Sequence, residues 1–417
     1  MKMVIFVNIK ELTNEEFNNF RKSYKMKSIY QSIEYGFVMN HQKFDSIFLG
    51  LVDEKGNILG ASLILIENLG KIKYAYAPRG FLIDYKDSII LDAFTKELKK
   101  YLAKLNVIAI KISPMIIKET YDKKYNILEN NPYYDVIFNN LKKLGYRHLG
   151  YNNYFENIKP RFEAIIDIDK PYYLLFKNIR KEFRTKIRGA EEKGITIHKG
   201  NIDNLEYLYL QTKKKYPRDL NYFQDCYKYF SKNNNIEFYY SKLNTETYLK
   251  VTTKKLQEQE KVCNEYNNLI STNRNIITSK IEADKLYNKY KNNLVNATKL
   301  LRNYPNGIVT SSILVVKDTE EIYMLMDGFD PIYKNFNSKH LLIWKLIEKF
   351  SNEGYKKFNL GGIPNPKLEN NKYQGLVDFK LGFNAKSVEY IGDLELICNN
   401  ALYFMYKNTP IKTILKK

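Results

Sequence analysis

The order of strand and helix patterns along this chain is the feature that most restricts its fold. Two apolar runs at 47–53 and 58–68 are separated by a short polar turn containing Gly56, which predicts an antiparallel hairpin. After a further strand, an amphipathic helix is predicted at 88–106 and a buried strand at 107–113. Because hairpins precede the helix and its following strand, the pattern indicates a mixed α+β sheet and not a doubly wound parallel one.

The rest of the chain repeats this order, which indicates two similar halves. Residues 162–242 and 305–390 show a strand, a basic helix and a second hairpin. The 417 residues are enough for two domains with separate cores. We place the first domain at 1–150 and the second at 151–390, with 391–417 free to pack back on the first.

Heptad-spaced apolar residues run through 244–304, a segment without proline or glycine. Seven-residue spacing relates three sets of positions: Leu249, Leu256, Cys263 and Ile270; Ile276, Ala283, Tyr290 and Ala297; and Tyr287, Leu294 and Leu301. This seam is typical of a coiled coil, and the polar run 271–275 is where a hairpin would turn. The segment predicts an antiparallel helical arm of roughly 40 Å inserted in the second domain. A helical insertion packed on the body is the alternative, but so narrow a seam favours a protruding arm.

The charge balance points to an anionic partner. The chain has 67 Lys and Arg against 46 Asp and Glu, a formal net charge of +21. Such a surplus is typical of proteins that bind RNA, phosphorylated precursors or anionic membranes. The chain is also rich in residues with AT-rich codons, so the base composition of the gene explains the surplus equally well.

No metal site or disulfide framework is visible in the sequence. The cysteines and histidines are scattered without ligand spacing: Cys226, Cys263, Cys398, His41, His148, His198 and His340. We therefore expect no metal and no bound cofactor. The apolar run near the N-terminus is only about five residues long, and no window approaches the roughly 20 apolar residues of a spanning helix. A cytoplasmic protein is expected, with peripheral contact at the inner face of the membrane left open.

One lysine near the end of the chain stands out by its neighbours. Lys380 lies between Phe379 and Phe383, and a strand-like alternating run follows it. A lysine flanked by aromatic residues packs its stem and directs its ammonium to a particular place, because an unpaired buried charge is costly. From this segment alone, a lysine that reaches solvent at the edge of the fold explains the pattern as well.

Together with its surroundings, this segment resembles a known family. The supporting segments, in chain order, are YAPRGFLIDY at 76–85, Pro160-Arg161 before a strand, KEFRTKIRGAEEKGITI at 181–197, a helix and glycine pair within 336–362, and GLVDFKLGFNAKSVEYIGDLEL at 375–396. Five matches in the same order are far more specific than any single one. They resemble the Fem (FemABX) family of peptidoglycan interpeptide-bridge aminoacyltransferases.

The resemblance implies two tandem GNAT-like domains and transfer of an amino acid from aminoacyl-tRNA to an amine of a peptidoglycan precursor, lipid-linked or UDP-linked. Aminoacyl-tRNA is then a co-substrate and no cofactor is needed. The ester is already activated, so positioning supplies much of the acceleration. Lys380 is expected to meet developing negative charge or a precursor phosphate, and Phe379 and Phe383 beside it are expected to contact the substrate. In longer members of the family, an arm placed like 244–304 has been regarded as a tRNA-binding element.

Other residues are candidates for substrate binding. Arg184 and Arg188 are four apart and share one face of the basic helix, as a phosphate clamp would require. A solvated charged face is the equal alternative. Arg79 in the Pro-Arg-Gly segment is a second phosphate candidate. Gly361 and Gly362 allow close approach of a substrate, or simply form a tight turn.

Two positions depart from the family pattern. Met39 stands where characterised members carry a lysine that contacts precursor phosphate, and Ser113 stands where members carry an aspartate before proline. Both lie in the first domain, on the acceptor side.

Other classes of function remain as alternatives. A GNAT N-acyltransferase acting on another amine would need a pyrophosphate-binding loop, and no such string is present. A non-catalytic RNA-binding paralogue would explain the charge and the arm but not the residues around Lys380. A transferase acting on lipid head groups is disfavoured because no spanning segments accompany the chain. The amino acid transferred and the oligomeric state are not readable from the sequence.

Overall fold

The computed structural model describes residues 7–156, 158–214, 218–270 and 276–408. It is an α+β fold built on two large sheets, and the predicted fold class is confirmed. The strands in chain order are β1 (Val7–Glu11), β2 (Phe44–Asp53), β3 (Ile58–Asn68), β4 (Lys73–Arg79), β5 (Val107–Pro114), β6 (Ile117–Tyr121), β7 (Ile127–Asn130), β8 (Tyr146–His148), β9 (Phe162–Asp167), β10 (Ile195–Gly200), β11 (Ile236–Leu243), β12 (Ile308–Lys317), β13 (Glu321–Phe329), β14 (Lys357–Ile363), β15 (Lys386–Tyr390) and β16 (Leu394–Ile397).

Helices cover both sheets and supply the long insertion. In chain order they are α1 (Asn14–Ser23), α2 (Ile33–His41), α3 (Ser88–Lys104), α4 (Tyr134–Lys143), α5 (Tyr172–Asn178), α6 (Lys181–Glu192), α7 (Leu205–Thr212), α8 (Leu220–Ser231), α9 (Thr245–Ile270), α10 (Ile277–Asn303), α11 (Ser338–Asn352), α12 (Gln374–Leu381) and α13 (Asn400–Lys407). Short 3₁₀ segments occupy Ile29–Gln31 and Pro331–Phe336.

The two sheets repeat one topology. The first has the strand order β1-β2-β3-β4-β5-β16-β8, and the second has β10-β11-β12-β13-β14-β9-β15-β6-β7. In each, an antiparallel run of four strands is followed by a parallel pair, β4 with β5 and β13 with β14. Helices α3 and α11 make the corresponding crossovers. This repeat is the mixed sheet of a GNAT-like domain, present twice, as predicted.

The exchange of strands between the halves is not visible in the sequence. Strand β16, near the end of the chain, pairs with β5 and β8 inside the first sheet. Strands β6 and β7 lie early in the chain and extend the second sheet through β15. The domain boundaries at 150 and 390 stay predictions, because the two halves share strands in both directions.

Local sequence explains the crossover helix of the first half. The Asp87 side chain caps α3 by accepting hydrogen bonds from the backbone N–H groups of Ile89 and Ile90. The buried positions that follow recur at helical spacing: Leu91, Phe94, Leu98 and Leu102. The helix therefore covers one face of the sheet, and β5 beneath it is buried along its whole length, as its continuous apolar sequence predicts.

Helices α9 and α10 occupy the predicted insertion and pack against each other. The Gln259 amide on α9 donates to the Ala283 carbonyl on α10 at 3.1 Å. Cys263, Ala283 and Ala297, three of the heptad positions, are buried. These contacts fit the predicted arm, although a coiled coil as such stays a prediction. The predicted turn at 271–275 lies outside the described residues.

In the part of the chain that the structure describes, no helix combines the length and apolar character that crossing a bilayer requires.

Candidate functional site

The parallel strand pair of the second half separates early. β13 and β14 pair only from Glu321–Tyr323 with Lys357–Asn359, although both strands continue beyond these residues. Gly361 has a positive φ of 75°, and the pairing of β14 with β9 shifts register between Asn359 and Gly362. The glycine pair therefore bends β14 at the point where a space opens between the strands.

Lys380 occupies this opening. It lies on α12 rather than on a strand, is only 6% exposed, and its Nζ donates to the Gly362 carbonyl at 2.9 Å. Burial lowers the pKa of its ammonium to about 8, opposed by Asp327 and Glu163 and reinforced by Lys339. The shift leaves the group mostly charged at pH 7 and within reach of proton transfer. Lys380 is therefore not a surface lysine.

Gly361 keeps the space beside the ammonium open. A Cβ at this position would lie 3.7 Å from Lys380 Nζ and 4.0 Å from the Tyr323 hydroxyl. The region between a cationic donor and a phenol donor is thus free of side-chain atoms from residue 361. The Tyr323 hydroxyl in turn accepts a hydrogen bond from Tyr30 of the first half at 3.3 Å.

An aromatic cluster holds the helix that carries Lys380. Phe183 of α6 lies 5.2 Å from Phe383 and 6.1 Å from Phe379, measured between ring centroids. His340 packs on the same rings, and burial beside Lys186 and Lys339 lowers its pKa to about 3, so it is neutral near pH 7. The two phenylalanines flanking Lys380 thus pack against Phe183 and His340, and their contact with substrate stays a prediction.

A buried polar network lies behind the opening, and most of its residues were not predicted from the sequence. Arg79 and Glu163, both buried, form an ion pair at 2.6 Å that links the two halves. The Asn359 amide donates to Glu163 at 2.9 Å and to Glu321 at 2.8 Å. Burial raises the pKa of Glu321 to about 7, reinforced by Glu163 and opposed by the Asn359 hydrogen bond. Of these residues, only Arg79 was a candidate site residue from the sequence, and it was predicted to bind phosphate.

Some of the other predicted site residues lie around Lys380, and others do not. Gly361, Gly362, Phe379 and Phe383 surround Lys380, whereas Arg79 is inside the protein with Glu163 as its partner. Arg184 is half-buried and Arg188 exposed on α6, the helix that also supplies Phe183. The Arg188 guanidinium lies over the Phe176 ring of α5 at 5.3 Å. Phosphate binding by these arginines stays a prediction.

A second cationic group lies between the halves and was not predicted. Lys159 is buried, and its Nζ lies 2.9 Å from the centre of the Tyr30 ring. It has no carboxylate partner among the described residues, and burial, with Arg79 and Arg218 nearby, holds its pKa well below the usual value. Arg218 reaches solvent and lies over the Tyr222 ring at 4.6 Å. A buried amine with no carboxylate is suited to receive an anion.

The two departures from the family pattern have different surroundings. Met39 is buried in an apolar cluster to which residues of both halves contribute. Ser113 is also buried, and its hydroxyl donates to Asp393 at 2.6 Å, with Tyr76 at 2.9 Å. A carboxylate thus stands beside position 113 after all, supplied by the segment before β16.

These features define the class: a two-half α+β acyltransferase fold with a buried ammonium between diverging strands. The chain belongs to the FemAB family, whose family model matches residues 12–409. It is 26% identical over 365 residues, 84% of each chain, to the lipid II:glycine glycyltransferase of Staphylococcus haemolyticus. It is 25% identical to aminoacyltransferase FemB of Staphylococcus epidermidis, covering 98% of this chain and 99% of the relative.

The fold comparison agrees with the family. A crystal structure of FemX matches with a TM-score of 0.73 and 22% identity, covering 96% of this chain and 100% of that one. The family prediction is confirmed, and so is the prediction of an aminoacyltransferase class of enzyme, since the relatives carry that name.

Proposed function

We propose that this protein transfers an aminoacyl group from aminoacyl-tRNA to an amine on the peptide stem of a peptidoglycan precursor. The relatives named as lipid II:glycine glycyltransferase and FemB support the acceptor and reaction class. The observation that carries the proposal is Lys380, a buried ammonium at the opening between β13 and β14.

The reaction is aminolysis of an ester. The acceptor amine attacks the ester carbonyl, a C–N bond forms, the C–O bond to the ribose breaks, and the ribose hydroxyl leaves with a proton. The amine loses the proton that the leaving oxygen gains, so the step balances without a further reactant. Negative charge develops on the carbonyl oxygen in between, and a desolvated ammonium such as that of Lys380 stabilises it.

The second cationic group supports an acceptor that carries phosphate. Lys159 and Arg218 lie between the halves, where an anion would offset the cost of the buried amine. A pyrophosphate is common to lipid-linked and UDP-linked precursors, so this group accommodates either acceptor. When the phosphate of the acceptor binds at Lys159 and Arg218, the face of α6 that carries Arg184 and Arg188 is left to bind the tRNA.

The test is a transfer assay with defined substrates. The purified protein is incubated with a pool of charged tRNA and with either a lipid-linked or a UDP-linked pentapeptide precursor, and the product mass is measured. The expected result is one amino acid added to the precursor, abolished when the tRNA is first deacylated. Transfer supported by acetyl-CoA but not by charged tRNA would overturn the proposal in favour of N-acetyl transfer.

A further inference from the structure

A cavity of about 360 Å³ opens on the second half, between the β6–β7 turn, the end of β9, the start of β15, and helices α5 and α11. Its floor is apolar and includes Trp344, which is 5% exposed, together with Leu175 and Ile347. None of its lining residues takes part in the transfer chemistry proposed above, although Phe383 borders both regions. The cavity is large enough for part of a small amphiphilic molecule.

The rim of this cavity carries a surplus of positive charge. Four lysines line it: Lys123, Lys124, Lys170 and Lys386. Its two carboxylates are already engaged, since Asp167 pairs with Lys386 at 3.0 Å and Asp122 accepts from the backbone N–H groups of Lys124 and Asn126. Within the described ranges, Lys123 donates to the neutral side-chain oxygen of Asn384, Lys124 lies near the Asp122 carboxylate without a direct ion pair, and Lys170 pairs with no carboxylate. The rim therefore carries four ammonium groups against two carboxylates, beside an apolar floor.

One exposed apolar side chain lines the cavity, and another lies on the neighbouring helix α5. Leu128 lines the cavity and is 55% exposed. Tyr172, 48% exposed, lies one helical turn before Leu175 on the same stripe of α5. A soluble anion would pair with the lysines but would leave the side chains of Leu128 and Tyr172 exposed to water. A bilayer surface matches both, since lysines meet phosphate groups while the apolar side chains enter the interface.

We propose that this face, defined by Lys124, Lys170, Leu128 and Tyr172, binds the surface of an anionic phospholipid bilayer. The phosphate of one lipid lies between Lys124 and Lys170, and the adjoining apolar part of that lipid enters the cavity above Trp344. The inference does not rest on the transfer reaction, because a bilayer-bound protein can use either a lipid-linked or a soluble acceptor.

The chain contains a single tryptophan, so its fluorescence reports on this cavity alone. The full chain is mixed with vesicles of phosphatidylcholine or of phosphatidylcholine with phosphatidylglycerol, and bound protein is measured by sedimentation. Binding is expected only to the anionic vesicles. Phosphatidylglycerol brominated on its acyl chains is expected to quench Trp344.

Lys124→Ala/Lys170→Ala is the test variant, with an expected loss of affinity on the order of 25-fold, about fivefold for each lysine near the surface. The matched control is Lys99→Ala/Lys104→Ala, which removes two exposed lysines from α3 in the first half. Leu128→Ser is expected to weaken binding without changing its salt dependence, because it removes no charge.

Three results would overturn the inference. They are sedimentation without quenching of Trp344, an equal loss in the control variant, and full competition by millimolar glycerol phosphate, which would indicate a site for a free phosphate compound. Transfer to a UDP-linked acceptor in the absence of vesicles is measured separately on the unaltered protein. Failure of vesicle binding and failure of the transfer reaction are thus independent outcomes.

Discussion

The two halves of this protein share one topology but differ at their parallel strand pairs. In the first half, β4 and β5 stay paired through seven positions, to Arg79 and Pro114 at their ends. In the second, β13 and β14 pair through three and then part. The same arrangement of strands thus gives a closed sheet in one half and an opening beside Lys380 in the other.

In the closed half, the ends of the parallel strands are occupied by side chains of the protein itself. The Ser113 hydroxyl is bonded to Asp393 and lies beside Tyr76, and Arg79 extends out of its sheet to Glu163 in the second half. Duplication of a sheet therefore does not duplicate a site. Whether a site exists depends on where the strand pair separates and which side chain enters the gap.

Breaking the Arg79–Glu163 ion pair between the halves should have the largest effect, a loss of stability. Arg79→Met leaves Glu163 buried without its cation, and removing one partner of such a pair costs about 3–5 kcal/mol. The free energy of unfolding in urea measures this loss. In the double variant Arg79→Met/Glu163→Gln, part of the stability should return because no lone charge remains. A stable single variant would show that the two halves are held together mainly by their apolar contacts.

Removing the ammonium from the opening should affect rate rather than folding. Lys380→Met keeps the stem length, and the phenylalanines around it supply the packing. We expect the barrier to rise by about 2–4 kcal/mol, or about 30- to 1000-fold in rate. Lys372→Met, at an exposed lysine just before α12, is the control. Near-normal turnover in Lys380→Met would remove this residue from the mechanism.

The pH profile adds a separate check on Lys380. Its pKa of about 8 is below the ordinary value, so the charged form is lost as the pH rises through 8. If the ammonium is the active form, kcat/KM should fall above that pH, and this fall should disappear from the residual activity of Lys380→Met.

Glu321 should show how much free energy of unfolding the buried network behind the opening costs at high pH. Its pKa is raised to about 7, so the folded protein favours the neutral acid, and stability is lost as the pH rises from the unfolded value of about 4.5 through 7. Glu321→Gln mimics the neutral form. It should stabilise the protein by about 1–2 kcal/mol at pH 8 and by much less at pH 5. An equal effect at both values would indicate that Glu321 stays ionised throughout.

The insertion is a further difference between the halves. Replacing residues 257–293 with a short linker should leave a folded body, because Tyr248, Ala297 and Leu300, which pack in the core of the second half, are retained. The shortened protein should bind tRNA roughly tenfold more weakly, with a shallower dependence on salt, because fewer phosphate contacts release fewer counterions. Circular dichroism and filter binding measure the two quantities. An unfolded product would show that the outer parts of α9 and α10 are needed for folding as well.

The smallest effect is expected at the arginine pair. Arg184→Met should raise KM for charged tRNA severalfold with little change in kcat, because a peripheral phosphate contact holds ground and transition states alike. Arg188→Met should act similarly, and Lys181→Met, an exposed lysine at the start of the same helix, serves as the control. A fall in kcat alone would place Arg184 in the reacting centre.

The parts of the fold that depend on local sequence patterns could be predicted. The hairpins β2–β3 and β12–β13 and the helix after them were predictable from periodicity and turn residues, and Lys380 was recognisable from its neighbours. Pairings across long separations were not. Ser113 meets Asp393 at a distance of 280 residues along the chain, and no local pattern connects them. Arg79 was predicted to bind phosphate, yet it is buried with Glu163, a partner 84 residues away.

The late position of β16 has a consequence for synthesis on the ribosome. This strand lies between β5 and β8, so the first sheet has a gap until residues 394–397 have emerged, about 250 residues after β8. At about 5–20 residues per second, that interval is on the order of 10–50 seconds. Throughout it, the edge of the mostly apolar strand β5 stays open to wrong partners. Truncations that remove β16 should therefore yield aggregates of the nascent N-terminal half, and chaperone dependence should end only when translation is nearly complete.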